Sequence, residues 1–351
     1  MTDNAFIHIR PVIKLDGEVR NDLGELLTGM VANLPLNGSA HAEVHLTNWG
    51  LNEGGRMPDF IFGDVDLGTA VEILMPEGGE IQSIFQGEVT ALEERYGEGG
   101  APNIVMLMQD RLHRLARSRH SRCFEEQSPD EIVQAIAGEA GLRSDVNASS
   151  ITSSWHQINE SDLAFAQRLL GRFDIALRLQ DDTVRARPEE PDPEPLPLDA
   201  QDSASYVRLL SDLNHQPTSS RVRGYNPAAA EATDHEADSL TPAPGDVTAA
   251  DNLNRLGWPG PEIVPQPFAR TMAEARAYAE AHFRRMAKRF LSGEITCQGE
   301  PRMHSGREVE LTGVSPRLRG KYQVVHCVHL FNNESGYDTH LTVHRPDWSN
   351  G

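Results

Sequence analysis

Apolar and polar positions alternate most clearly near the C-terminus, between Lys321 and Asp347. Two alternating runs flank the turn Asn332–Gly336, and this pattern predicts a β-hairpin with a glycine-ended loop. Pro346 ends the second run, because proline cannot continue a ladder. The first run is apolar on both faces, so we expect a core or a partner subunit to cover each face. Strict alternation assigns Val324 and Val328 to one face, and Val325, Cys327 and Phe331 to the other.

The first 110 residues have a similar alternating pattern. Short runs of this kind, separated by turns rich in Gly and Pro, predict the strands of a barrel or sandwich. The strands are expected at 41–46, 71–75, 85–89 and 104–108, with turns at 76–79 and 97–100.

In the middle of the chain, the spacing of apolar residues changes to the period of an α-helix. Ser128 and Glu131 form a predicted capping box, and Gly141 is placed to end that helix. A second helix is predicted to start near Asn159–Asp162 and to stop at Gly171, and a short hairpin is expected after it. These elements predict a small α+β module.

Two tracts interrupt the pattern of strands and helices in the remaining part of the chain, from residue 188 onwards. Pro188–Asp199 contains five prolines and five acids, which predict an extended, solvated loop that folding does not require. Residues 226–267 are predicted to be irregular. A long helix is predicted at 271–292, because Thr271 and Glu274 form a capping box and Gly293 follows. No simple repeat of 20–50 residues is apparent.

The predicted fold is therefore α+β and mainly β. Its expected divisions are a first β-barrel at 1–110, the α+β module at 111–187, a Pro/acid loop at 188–200 and a second β-barrel at 201–351.

Composition narrows the possible partners. A formal net charge of −20 over 351 residues argues against a general nucleic-acid-binding surface. The three cysteines are far apart with no CxxC, which indicates a reduced compartment. Neither a secretory leader nor a membrane span is recognisable, so we expect folding in the cytoplasm.

Two histidine groups suggest metal chemistry. His41, Glu43 and His45 share one strand face, but a zincin motif needs Glu directly after the first His, on a helix. A polar strand face is therefore the favoured interpretation. The second group could hold zinc if cross-strand pairing brought His340 beside Cys327 and His329, but a packed hairpin is favoured. This group comprises His326, Cys327, His329, His340 and His344.

A basic run occupies residues 111–122. Beside the net charge of −20, a solvated face or an ion-paired subunit contact is favoured over a nucleic-acid patch. The chain has no GxSxG elbow, P-loop or GxGxxG after a strand. We therefore predict no catalytic, cofactor-binding or metal-binding residue and no cofactor. The basic run comprises Arg111, His113, Arg114, Arg117, Arg119, His120 and Arg122.

Several segments, in order and spacing, resemble the late control protein D family of contractile phage tails, the baseplate hub proteins related to the hub part of VgrG. Each motif is weak alone, and together they span most of the chain. The matching residues are Phe85–Thr90; Asp110–Leu115 with Arg117, Ser121 and Arg122; Gln157–Asp162 with Phe165, Arg168 and Leu169; Ala273–Ala275, Gly306, Val309 and Leu311; Gly320–Val324, His329, Phe331 and Gly336–Thr339.

The resemblance implies a structural role in a contractile tail or a related injection particle. It implies a homotrimer in which each subunit has two tail-tube-like barrels, so that a ring of six barrels joins a sixfold tube to a threefold spike. The expected partners are a separate spike protein, a tube or tube-initiator protein, baseplate wedge proteins and a tape-measure protein, with no membrane or specific nucleic acid. The alternatives are a spike-associated cell-wall hydrolase and a tube adaptor ring. We expect assembly in the cytoplasm, then incorporation into the particle.

Overall fold

The structure, a computed structural model, describes residues 10–51, 58–240 and 245–349. The N-terminal part is almost entirely strands, as predicted. Its elements are β1 (Val12–Leu15), β2 (Glu18–Val19), α1 (Asn21–Leu26), β3 (Leu27–Pro35), β4 (His41–Thr47), β5 (Gly50–Leu51), β6 (Pro58–Asp59), β7 (Ala70–Glu77), β8 (Glu80–Arg95) and β9 (Asn103–Gln109).

The middle module contains both predicted helices. The Ser128–Glu131 capping box starts the first, and the left-handed Gly141 follows its end. The Ser161 hydroxyl caps the second by accepting a hydrogen bond from the Ala164 amide. The elements are α2 (His113–Arg117), β10 (Arg119–Gln127), α3 (Pro129–Glu139), β11 (Arg143–Val146), β12 (Ser153–Ser161), α4 (Asp162–Leu170), β13 (Arg178–Gln180) and β14 (Thr183–Ala186).

The C-terminal part contains the predicted hairpin, formed by its two longest strands. Its elements are β15 (Leu196–Asp199), β16 (Ala204–Ser211), β17 (Ser219–Asn226), β18 (Glu231–Ala237), β19 (Val247–Thr248), α5 (Ala249–Leu256), β20 (Pro261–Ala269), α6 (Met272–Ala287), β21 (Leu291–Gln298), β22 (Glu308–Thr312), β23 (Gly320–Asn332), β24 (Gly336–Arg345) and β25 (Asp347–Trp348).

Two expectations for this part were wrong. The tract 226–267 is not irregular, since it includes β18, α5 and β20. The long helix begins at its capping box but ends at Ala287, and Gly293 lies inside β21. A Cβ on Gly293 would come within 2.9 Å of the Arg208 carbonyl oxygen on the neighbouring strand. This glycine therefore permits close strand packing and does not end the helix.

The prediction for the Pro/acid tract was wrong at its end, where a strand forms, whereas residues 188–195 form a loop as expected. Leu196 and Leu198 are buried, and their strand β15 pairs with β22. The Glu189 carboxylate is nearly buried against the Arg178 guanidinium, and Asp192 accepts a hydrogen bond from Arg307 at 2.8 Å. Pro197 lies in this edge strand, where a missing N–H is tolerated, and the alternating leucines on either side of it point into the core.

Two groups of six strands pair in the same order. In unit 1, β1 pairs with β7, which is followed by β8, β9, β4 and β3. In unit 2, β15 pairs with β22, which is followed by β23, β24, β21 and β16. The strands also follow the same order along the chain in both units. One difference is that β1 is antiparallel to β7, whereas β15 is parallel to β22.

Backbone irregularities confirm this correspondence. Thr28 is an extra residue in β3, and its hydroxyl donates a hydrogen bond to the His45 carbonyl at 3.1 Å. Ser205 is the extra residue at the matching place in β16, and its hydroxyl donates to the Thr296 carbonyl at 3.2 Å. Such bulges are specific features of a strand, so their agreement indicates one fold used twice.

The strands β8 and β23 match in the same way. Each has an extra residue at the matching place in its pairing with the next strand, Thr90 in β8 against β9 and Val325 in β23 against β24. The amide of Gly68 donates to the Val89 carbonyl at 2.8 Å, and that of Gly306 donates to the Val324 carbonyl at 2.8 Å. Both glycines have positive φ, +87° and +92°. Aligning these bulges places Leu27–Asn33 on Ala204–Leu210, and Val89–Tyr96 on Val324–Phe331.

The two units are joined edge to edge. β3 of unit 1 pairs with β23 of unit 2, from Gly29 opposite Asn332 to Pro35 opposite His326. Eight antiparallel strands therefore form one continuous sheet, here called the shared sheet, in the order β8, β9, β4, β3, β23, β24, β21, β16.

Three hydrophobic cores stabilise the chain. One lies under unit 1 and one under unit 2, both on the same face of the shared sheet. The third combines the middle module with β17, β18, β20 and α6. The long helix thus packs in the third core, against side chains such as Phe173. The domain boundaries given above stay predictions.

Candidate assembly site

The face of the shared sheet turned away from the cores, here called the polar face, is mainly polar, with apolar exceptions such as Val328, Tyr206 and Leu210. His41, Glu43 and His45 lie on it and alternate with buried apolar residues of β4. This confirms the polar strand face expected from the sequence. The same face continues across unit 2, where Glu294, Thr296, Gln298, Asp338, His340 and Thr342 are half-buried or exposed.

The bulge at Val325 reverses the expected faces of the hairpin. After it, Cys327, His329 and Phe331 continue the buried face begun by Val324, while Val328 lies on the polar face. The assignment of Val324 and Val328 to one face was therefore wrong, because an extra residue shifts the alternation by one position.

The second histidine group is divided between the two faces. His340 lies opposite Val328, and Thr339 lies opposite His329, so His340 does not approach the buried pair Cys327 and His329. Within the described residues, no group of three or more His, Cys, Asp and Glu side chains is arranged to hold a metal ion.

His329 is instead hydrogen-bonded within the core. Its Nε2 lies 3.0 Å from the Met303 carbonyl oxygen and therefore donates to it. Its Nδ1 accepts a hydrogen bond from the Tyr337 hydroxyl at 2.8 Å. Burial lowers the pKa of His329 to about 4, so the ring is neutral at pH 7.

The junction between the two units is buried. Phe331, only 3% exposed, lies on β23 opposite Met30 of β3, which is 1% exposed. Arg10 lies over the Phe331 ring, and the Asn333 amide donates to the Leu27 carbonyl at 3.1 Å. This pairing is a complete interface between two like units.

The two ends of the shared sheet are open. Among the described residues, β16 pairs only with β21, and residues 91–95 of β8 pair only with β9. Large apolar side chains are exposed at both ends. Tyr206 and Leu210 are 51% and 48% exposed on β16, and Tyr96 at the end of β8 is 64% exposed beside Phe60.

A third sheet edge is protected. β20 ends the sheet β18–β17–β20 and contains Pro261, Pro265 and Pro267. Proline on an edge strand prevents another chain from pairing there. Neither β16 nor residues 89–95 contain a proline. The open ends of the shared sheet thus lack the protection that β20 has.

The basic run is paired within the chain. Arg111 contacts Asp182 at 2.5 Å, and Arg122 contacts Asp162 at 2.7 Å. His113 and Arg114 both contact Glu88 of β8. These side chains connect unit 1 with the middle module or stabilise the module itself. These ion pairs lie within one chain, and a contact of the basic run with another subunit stays a prediction.

The described chain is mainly β and places two like units side by side in one sheet whose two end strands lack a second partner among the described residues. The family model of phage tail baseplate hub (GPD) proteins matches residues 43–335, and the chain belongs to this family. This confirms the resemblance inferred from the motifs. The protein is therefore a structural component of the baseplate-hub type.

Solved structures share the fold. The 43 kDa tail protein of prophage MuSo2 from Shewanella oneidensis is 14% identical, with a TM-score of 0.70 over 97% of this chain and 100% of that one. A tail protein from Neisseria meningitidis MC58 is 10% identical, with a TM-score of 0.67 over 96% of both chains.

The c3393 protein of E. coli, a component of the type VI secretion system, is 12% identical. Its TM-score is 0.60 over 96% of this chain and 77% of that one. Comparison with curated protein sequences gives no match. None of the described helices has the length and apolar character needed to cross a bilayer.

Proposed function

We propose that three copies of this chain form the hub ring that joins a central spike to a tail tube. The observation that carries this proposal is the shared sheet, in which two like units lie side by side. Three copies place six such units around one axis. A ring of this kind presents threefold symmetry to a spike and near-sixfold symmetry to a tube.

The direction of the strands supports ring closure. The shared sheet has an even number of antiparallel strands, so β8 and β16 run in opposite directions. Subunits related by rotation about an axis all point the same way. Consequently β16 of one subunit meets β8 of the next in the antiparallel sense, and the ladder continues without interruption. Three copies give a closed sheet of twenty-four strands.

In the proposed ring, closure also determines which face of the shared sheet lines the channel. The cores cover one face of the shared sheet, so the polar face lines the channel of the ring. Along this face the described arginines on β8 and β16 each have an acidic neighbour, Glu93 for Arg95 and Glu294 for Arg208. A polar wall with paired charges suits a passage through which other molecules travel.

The remaining parts of the proposal follow from the hub role. The protein acts as a scaffold without catalysis, assembles in the cytoplasm and enters the particle with a separate spike protein. The other partners are the tube or its initiator, wedge proteins and a tape-measure protein. A sixfold adaptor ring would need only one unit per chain, so the two units favour the trimer.

Native mass spectrometry of the full chain, alone and with its spike partner, tests this proposal. We expect three copies per complex, and particle symmetry should agree. A stable monomer in both samples, or six copies in the assembled particle, would contradict it.

A further inference from the structure

The junction inside the chain specifies the contact between neighbouring subunits. β3 and β16 occupy the same place in units 1 and 2, and so do β8 and β23. Inside the chain, β3 of unit 1 pairs with β23 of unit 2. The corresponding pair, β16 and β8, is unpaired along the open ends of the described shared sheet.

We propose that β16 of one subunit pairs with residues 91–96 of the next in the register that β3 and β23 adopt inside the chain. This inference rests on the proposed ring and specifies which residues are in contact between neighbouring subunits. Because Val328 lies opposite Asn33, the aligned bulges place Glu93 opposite Leu210. The other pairs are Leu92 with Ser211, Glu94 with Leu209, Arg95 with Arg208, and Tyr96 with Val207.

The aromatic position supports this register. Tyr96 aligns with Phe331, and Val207 aligns with Met30. Phe331 is buried because Met30 lies opposite in the same chain, whereas Tyr96 is 64% exposed. In the proposed ladder, Tyr96 covers Val207, which is half-buried in the single subunit. The exposed Tyr96 thus acquires the environment that Phe331 already has.

Charge is also compatible with this register. Arg95 faces Arg208, but each has a carboxylate partner on its own subunit, Glu93 at 2.8 Å and Glu294 at 3.5 Å. Glu93 lies diagonal to Arg208 in the proposed ladder, within reach of a long side chain. The two arginines and two glutamates form a cluster with no net charge.

Disulfide trapping tests the register. The variant Glu93→Cys/Leu210→Cys is made in the full chain with Cys123→Ser, because Cys123 is the exposed native cysteine whereas Cys297 and Cys327 are buried. After mild oxidation we expect covalent dimers and trimers on a non-reducing gel, and no larger species, because a closed ring contains three contacts.

Two variants serve as matched controls. Asn33→Cys/Val328→Cys occupies the same pair inside the chain, and it should lose both thiols while remaining a covalent monomer. Glu93→Cys/Tyr206→Cys is displaced by four residues, about 13 Å along the strand, so it should not cross-link.

The remaining outcomes distinguish a failure of the proposed strand register from a failure of the proposed ring. Cross-linking of the displaced pair in place of the aligned pair would overturn the register. A trimer in native mass spectrometry that cross-links with neither pair would overturn the edge pairing and leave the ring intact. A monomer in every condition would contradict the proposed function itself.

Discussion

The junction of β3 with β23 and the open ends at β16 and β8 involve corresponding strands of the two units, which are paired inside the chain and unpaired at the ends of the described shared sheet. Inside the chain, the contact buries Met30 and Phe331 and is backed by the core around His329. At the open ends, the matching residues are the half-buried Val207 and the exposed Tyr96 and Glu94. The difference shows that burial at a given position of this fold depends on whether a neighbouring unit is present.

The largest expected effect is at the bulge of β23. Val324→Asp should prevent folding, because Val324 is fully buried and an unpaired buried carboxylate costs several kcal/mol, about the whole stability of a domain. Val328→Asp is the control. Val328 lies on the polar face, so this variant should remain soluble and folded. Circular dichroism and size-exclusion chromatography measure both. A folded Val324→Asp protein would mean that the faces of β23 are assigned wrongly.

The next effect tests the junction inside the chain. Phe331→Ala should lower the free energy of unfolding by about 3–5 kcal/mol, because it removes a buried aromatic ring between two strands. Urea denaturation of the full chain measures the change. A loss below about 1 kcal/mol would show that the two units are not held together at this position.

A smaller, pH-dependent effect is expected at His329. Its folded pKa of about 4 is below the ordinary 6.5, so between these values the unfolded chain binds the proton more readily. Stability that is present above pH 6.5 is therefore lost as the pH falls towards 4, by about 2 kcal/mol at pH 5. His329→Gln keeps a donor for Met303 and an acceptor for Tyr337 but cannot titrate.

We therefore expect the stability difference between the wild type and His329→Gln to shrink by about 2 kcal/mol between pH 7.5 and pH 5. Denaturation at both pH values measures it, and an unchanged difference would contradict a neutral, buried His329. Elemental analysis of both proteins should give the same metal content. Stoichiometric zinc that disappears in the variant would contradict the hydrogen-bonded interpretation of this hairpin.

The smallest effect on the single subunit is expected at the open end. Tyr96→Ala should change the free energy of unfolding by less than about 0.5 kcal/mol, because the side chain is mostly exposed. Trimer formation should weaken about tenfold or more, since aromatic anchors dominate interfaces. Sedimentation measured over a range of protein concentrations gives the strength of trimer formation. If Tyr96→Ala and Phe331→Ala lowered the free energy of unfolding of the single subunit equally, the distinction between the two contacts would be lost.

Local patterns allowed much of this fold to be predicted. Four strands of unit 1 (β4, β7, β8 and β9), the C-terminal hairpin and the starts of α3, α4 and α6 were predictable, because they depend on alternation and capping within a few residues. The strands β1 and β3 were not predicted. The family resemblance also rested on short motifs in the right order. The polar face of β4 was predicted because its alternation is uninterrupted.

The family resemblance implied two like barrels, but the correspondence between the two units could not be seen in the residues themselves. Leu27–Asn33 and Ala204–Leu210 have no identical residue at matching positions. Their likeness lies in ladder pairing and in bulges, which require knowledge of the partner strand. Val325 illustrates the same limit, because nothing local marks it as an extra residue. The Pro/acid tract misled prediction because its prolines concealed the alternation of Leu196 and Leu198.

The pairing of β3 with β23 also has a consequence for the order in which contacts form in a newly made chain. Val31 faces Leu330, so one strand of this pair leaves the ribosome when most of the protein is still untranslated. Domains generally fold in the order of their synthesis, and contacts between distant residues form late. Unit 1 therefore keeps this edge unpaired until β23, far later in the chain, has been synthesised and can pair with β3. The junction between the two units is thus expected to be among the last contacts to form during synthesis.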